Sequence, residues 1–211
     1  MKVLSLALFA AVAMFADTIV SETPGGTSGS SSGFFAVSWI LTSTWDNVKI
    51  QAPLESDTPN SATGTAYLSN KLGAGAVAGN VLDTFAISTN NNDPSALLTL
   101  FSGLTLGPGT YFLSLQDGGD LFSIGAGSPV QTLGSGVTQG PDLMESGPIG
   151  TPPISSAFSD STGKTHLLFT VTGDPVANTT TTPEPSMILI LTLGLGGIVG
   201  VRRLGRGGVR V

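Results

Sequence analysis

The chain contains no cysteine. That excludes disulfide staples, thiolate metal sites and a cysteine nucleophile. Cations are nearly absent from its long middle. Of eight lysines and arginines in 211 residues, Arg202, Arg203, Arg206 and Arg210 fall in the final ten positions. Residues 17–182 hold three lysines, no arginine and 13 acids, a net charge of −10. Phosphate binding needs clustered cations, so this balance argues against a nucleic-acid partner, and adhesion to anionic lipid is disfavoured for the same reason. There is one histidine, His166, so multi-histidine metal sites are impossible. Before residue 187, no segment carries a sustained 3.6-residue apolar stripe with caps, the signature of an amphipathic helix.

What is there reads as short strands separated by Gly, Pro, Asn and Asp. Residues 34–41 place Phe35, Val37, Trp39 and Leu41 on one parity. Val48, Ile50 and Ala52 alternate with Lys49 and Gln51. Further strand segments are expected at 63–68, 81–87, 97–106, 111–115, 121–124 and 166–172. Gly107-Pro108-Gly109 between two of them is a strong turn signal. Residues 125–153 are rich in Gly, Pro and Ser and read as a long, weakly structured connection, either a binding loop or disorder. The pattern predicts a single all-β domain, an antiparallel β-sandwich of jelly-roll-like type, over residues 34–177. A flexible lead-in over 17–33 is expected before it and a polar spacer over 178–182 after it.

The two ends carry different signals. Met1-Lys2, an apolar stretch from Val3 to Phe15 and small residues at Ala11, Ala13 and Ala16 have the layout of a secretory signal peptide over 1–16. Cleavage after Ala13 or after Ala16 fits. At the other end Pro183-Glu184-Pro185 precedes a 15-residue uncharged run, 187–201, and then Arg202-Arg203. As a helix that run is about 22 Å long against a hydrocarbon core of about 30 Å. It is short for a span, but snorkelling arginines and local thinning accommodate it. Arginine beyond it predicts that residues 207–211 stay in the cytoplasm.

This tripartite tail, 183–206, resembles the PEP-CTERM sorting signal of bacterial envelope proteins: a Pro-Glu-Pro motif, a hydrophobic helix and a basic stop. The resemblance implies recognition by an exosortase, with Pro183, Glu184 and Pro185 as the processing motif and Arg202 and Arg203 as the stop. It also implies export machinery as a partner, an inner-membrane intermediate held by the C-terminal transmembrane helix, and a final place at the cell surface or in extracellular polysaccharide. Residues 34–116, with Trp39, Trp45, Gly64-Thr65-Ala66-Tyr67-Leu68 and Leu104-Thr105-Leu106-Gly107-Pro108-Gly109-Thr110-Tyr111, are similar to a pattern seen in other proteins of that family.

Little in the middle carries chemistry. His166 lies at a strand edge beside Thr165 with no nucleophile elbow around any serine, so a structural role is expected. Asp117-Gly118-Gly119-Asp120 could offer calcium two carboxylates, but the spacing is not an EF-hand and a solvated turn explains it. Trp39, Trp45, Tyr67 and Tyr111 could stack sugar rings, although scarce aromatics usually pack cores. No catalytic residue, metal ligand or cofactor is assigned. The expected function is an exported, non-enzymatic surface or matrix protein processed by an exosortase. The alternatives are a carbohydrate-binding β-sandwich, with or without calcium, and a plain membrane-anchored surface protein.

Overall fold

Alternation of apolar and polar residues in the middle of the chain builds sixteen strands among the described residues. The computed structural model describes residues 16–23, 28–29, 33–56, 62–89, 97–118, 121–122, 124–126, 129–161 and 165–176. The strands are β1 (Asp17–Thr23), β2 (Ser28–Gly29), β3 (Phe34–Leu41), β4 (Trp45–Ala52), β5 (Glu55–Ser56), β6 (Ala62–Ser69), β7 (Val81–Thr89) and β8 (Leu98–Leu106). They continue as β9 (Gly109–Asp117), β10 (Leu121–Phe122), β11 (Ile124–Ala126), β12 (Val130–Leu133), β13 (Val137–Glu145), β14 (Phe158–Asp160), β15 (Thr165–Leu167) and β16 (Phe169–Pro175). Among the described residues the helical pieces are two 3₁₀ turns, Ala78–Asn80 and Pro153–Ser155.

Two antiparallel sheets form the body. One runs β12-β1-β16-β4-β8 and the other β14-β13-β3-β9-β6-β7. Two small sheets, β10-β5 and β15-β11-β2, accompany them. Eight strands set the frame: β1, β3, β4, β6, β7, β8, β9 and β16. Counted first to eighth along the chain, they stand in the order one-eight-three-six in the first sheet and two-seven-four-five in the second. The segment between the seventh and eighth adds β12 beside the first strand and β13 with β14 beside the second.

The sheets pack face to face as a β-sandwich. Val48, Ile50, Phe169 and Val171 of the first meet Val37, Trp39, Leu68 and Leu113 of the second in one buried cluster. Trp39 is one of its two tryptophans and is fully buried. Its ring lies 6.1 Å from Tyr111 on the neighbouring strand and 5.9 Å from Phe169 on the opposite sheet, near-parallel to both. In β4 the inward parity changes part-way, because Trp45 and Val48 are both buried although three residues apart. Asn47 between them has φ of 52° and the pairing register shifts there. An extra residue in a left-handed conformation re-aims the strand, and Asn tolerates it better than other residues with a Cβ. Its side-chain amide donates to Asp174 Oδ2 at 2.8 Å.

Three sequence expectations are corrected. Residues 17–33 are not simply a lead-in, because β1 runs between β12 and β16 inside the first sheet, with Ile19 and Val20 in the core. Its buried residues also include Ser21 and Glu22, so the strand has too few apolar positions to stand out. Residues 125–153 are not a weakly structured connection. They contain β12 and the nine-residue β13, which pairs with β3 along its length except at a register shift between Gln139 and Asp142. The expected last strand, 166–172, is two strands in different sheets, β15 and β16, with the buried Leu168 between them. The leader, the spacer, the Pro-Glu-Pro motif, the 187–201 run and the arginines beyond it lie outside the described residues.

Candidate functional site: a buried carboxylate and imidazole cluster

Three strands from three different sheets bring Glu22, Asp142 and His166 together. Glu22 lies on β1, with Gln131 of β12 as its cross-strand partner on one side and Phe169 of β16 on the other. Asp142 lies on β13 opposite Val37, and His166 on β15 opposite Gly125. All three are buried, and each can offer one ligand atom such that these atoms lie within 4.8 Å of one another.

The irregularity in β13 makes this possible. Residues three apart on a regular strand point to opposite faces. Gln139 and Asp142 are three apart, yet both reach the Glu22 region, because Gly140 and Pro141 fall in the register shift. Proline is admitted at such a bulge since no ladder hydrogen bond is asked of it. A Cβ at Gly140 would crowd the Ser38 hydroxyl, which would have to rotate aside.

The polar groups fix one another. Gln131 Nε2 donates to Glu22 Oε1 at 2.9 Å, and Gln139 Nε2 donates to the same oxygen. The other oxygen, Glu22 Oε2, is buried and receives no donor. His166 Nδ1 lies 2.7 Å from Asp142 Oδ2, with both side chains 4% exposed. When the carboxylate is ionised it accepts the Nδ1 proton, and Nε2 is buried without a hydrogen-bond partner. The Leu167 backbone N–H also bonds to Asp142. Burial is the main force pushing the Glu22 carboxyl above its usual range, and the Asp142 charge adds to it; Gln131, Gln139 and His166 oppose the rise. Burial likewise raises Asp142, against the pull of its contacts with His166, Glu22 and Leu167.

No protein-family model, no curated protein and no solved structure matches this chain.

An imidazole oriented by a carboxylate is the base half of a hydrolytic triad. Here no hydroxyl among the described residues bonds to Nε2, and the ring is 3% exposed. Two carboxylates beside one imidazole form a buried, acceptor-rich cluster suited to a proton or a cation.

The remaining sequence candidates fall elsewhere. Trp39, Trp45 and Tyr111 are buried, so they belong to the core and are not a sugar-stacking surface. Tyr67 is half-buried and its hydroxyl donates to Gln116 Oε1 at 3.1 Å. Asp117 ends β9, while Asp120 lies outside the described residues. A groove of about 490 Å³ at one end of the sandwich is lined by Asn70, Lys71, Asn80, Thr110 and Tyr111. Several of its polar groups satisfy each other or nearby backbone: Asn80 Nδ2 donates to Asn70 Oδ1 at 2.9 Å, and Tyr111 Oη donates to the Gly107 carbonyl at 2.9 Å. Sequence reading named His166 alone of the cluster. Glu22, Gln131, Gln139 and Asp142 share no motif; the available signal was a carboxylate set directly after Ile19-Val20-Ser21.

Proposed function

We propose that this chain is an exported, non-enzymatic envelope protein whose Pro183-Glu184-Pro185 tail directs it to an exosortase, leaving a β-sandwich at the cell surface or in extracellular polysaccharide. The observation that carries the reading is where the strands begin and end. β1 starts at Asp17, directly after the expected leader, and β16 ends at Pro175, before the expected spacer and motif. Removing the leader and the tail therefore leaves all sixteen strands in place. Both signals flank the folded body without cutting into it, as two processing events require.

The one-eight-three-six and two-seven-four-five strand orders support reading the sandwich as a jelly roll, a double-sheet arrangement that protects its edges. Extracellular placement also fits the surface chemistry, with three lysines against 13 acids and no cysteine between residues 17 and 182. The cluster fits a structural duty in such a protein, because it joins the first strand to the late segment without a disulfide.

The test is localisation of the full chain and of a variant with Pro183, Glu184 and Pro185 all changed to Ala, in cells that carry an exosortase. The reading expects the parent at the surface and the variant retained in the inner membrane. Identical distribution of the two would refute sorting through this motif.

A further inference from the structure

We propose that Glu22, Asp142 and His166 bind one divalent first-row transition cation, Zn²⁺ or Mn²⁺, which ties β1, β13 and β15 together. The first support is the donor set. One ligand atom from each of two carboxylates and one imidazole, all three residues buried, come within 4.8 Å of one another. Mixed oxygen and imidazole ligation suits these ions, whereas Ca²⁺ asks for six to eight oxygens.

The second support is independent of proximity. Glu22 Oε2 is a buried atom with lone pairs and no donor to meet it. Buried polar atoms are almost always satisfied, and leaving one unmet costs free energy. The surrounding hydrogen bonds tie the opposite oxygen of that carboxylate. Gln131 and Gln139 both donate to Glu22 Oε1, while His166 Nδ1, 2.7 Å from Asp142 Oδ2, meets the ion beside that carboxylate once its proton leaves on binding. Outer partners that orient a ligand's back and leave its front open are the usual second layer of a metal site.

The third support is charge. The groups that act on Glu22 are Asp142, Gln131, Gln139 and His166, none of them a permanent cation. Two ionised carboxylates in a dry pocket carry a large desolvation penalty, which a dication removes together with their mutual repulsion.

The consequence is a staple. A chain with no cysteine cannot close its long loops by disulfide, and a bound ion does the same work by joining residues distant in sequence. The ligands come from the first strand, the inserted β13 and the short β15, so loading would complete the fold after export. The inference is independent of the sorting tail.

The full chain, untagged, is stripped with EDTA and titrated with Zn²⁺ and separately with Mn²⁺ by calorimetry. One equivalent of at least one ion is expected to bind in wild type and not in Glu22→Gln or His166→Gln, with the strand signal in circular dichroism retained. Failure of wild type to bind either ion overturns the proposal, as does undiminished binding in both folded variants. If the variants do not fold, X-ray absorption on the wild-type complex decides. His166 is the one histidine in the chain, so an imidazole in the metal's shell assigns the site, and a shell of oxygen alone overturns it.

Discussion

His166 and Asp142 stand on strands of two different sheets, yet Nδ1 of one lies 2.7 Å from Oδ2 of the other in a pocket closed to solvent. The contact links β15 to β13 across a part of the chain that holds β14 and the 3₁₀ turn at Pro153–Ser155. Replacing Asp142 with Ala leaves the His166 N–H buried without an acceptor, which costs about 1–3 kcal/mol, and adds a cavity. Urea unfolding should show a midpoint shifted down accordingly in Asp142→Ala, with an unchanged slope. An unaltered midpoint would mean that the pair contributes nothing.

The pH dependence of cation-free protein has a definite sign. Burial raises Glu22 above its ordinary 4.5 and Asp142 above its ordinary 3.8, with Gln131, Gln139 and His166 facing them. The folded state therefore holds these protons to higher pH than the unfolded state does. That contribution to stability is fully present below the unfolded values and is lost as pH rises through the folded ones. In EDTA, denaturant midpoints should fall as pH rises from the ordinary carboxylate range toward neutrality. Saturating Zn²⁺ or Mn²⁺ should reverse the trend, because the ligands bind metal deprotonated.

Trp39 tests the core. It is fully buried between Tyr111 and Phe169, so Trp39→Ala should cost about 3–5 kcal/mol. Trp39→Phe should cost less, since it keeps the aromatic stack. The pair is read by thermal unfolding. Equal, small losses would place Trp39 at the surface and contradict the sandwich interior.

The turn between β12 and β13, which lie in different sheets, tests the inserted segment. At Gly134 an added Cβ would sit 2.5 Å from the Thr18 backbone carbonyl, and the Gly134 N–H itself donates to the Ile19 carbonyl at 2.8 Å. Backbone cannot rotate aside as a side chain can. Gly134→Ala should therefore destabilise by about 1–3 kcal/mol and loosen β1, measured as faster hydrogen exchange at Val20 and Ser21. At Gly79, where an added Cβ would meet nothing, Ala should be tolerated.

Most strands were legible because their parity is clean. Val37 and Trp39, or Val48 and Ile50, alternate with residues that face the other way, and the Gly107-Pro108-Gly109 turn punctuates two strands. β1 and β13 were not legible, and the reason is common to both. Each spends inward positions on polar groups, Glu22 on one and Gln139 and Asp142 on the other, so the apolar rhythm breaks where the cluster is built. In β13, Gly140 and Pro141 add a bulge that mimics a loop in sequence. His166 was visible as a lone histidine, but nothing local pairs it with Asp142, because that contact is made by the fold. The residues that hide the strands are the ones that form the site.

Sorting is the central claim, and the most direct measurement of it is intact mass with C-terminal peptide analysis of the protein from its native cells. The account predicts a mature chain that begins near Asp17, retains the strands through Pro175, and lacks everything beyond the Pro183 to Pro185 region. A chain that still ends at Val211 would contradict it and make the tail a simple membrane anchor.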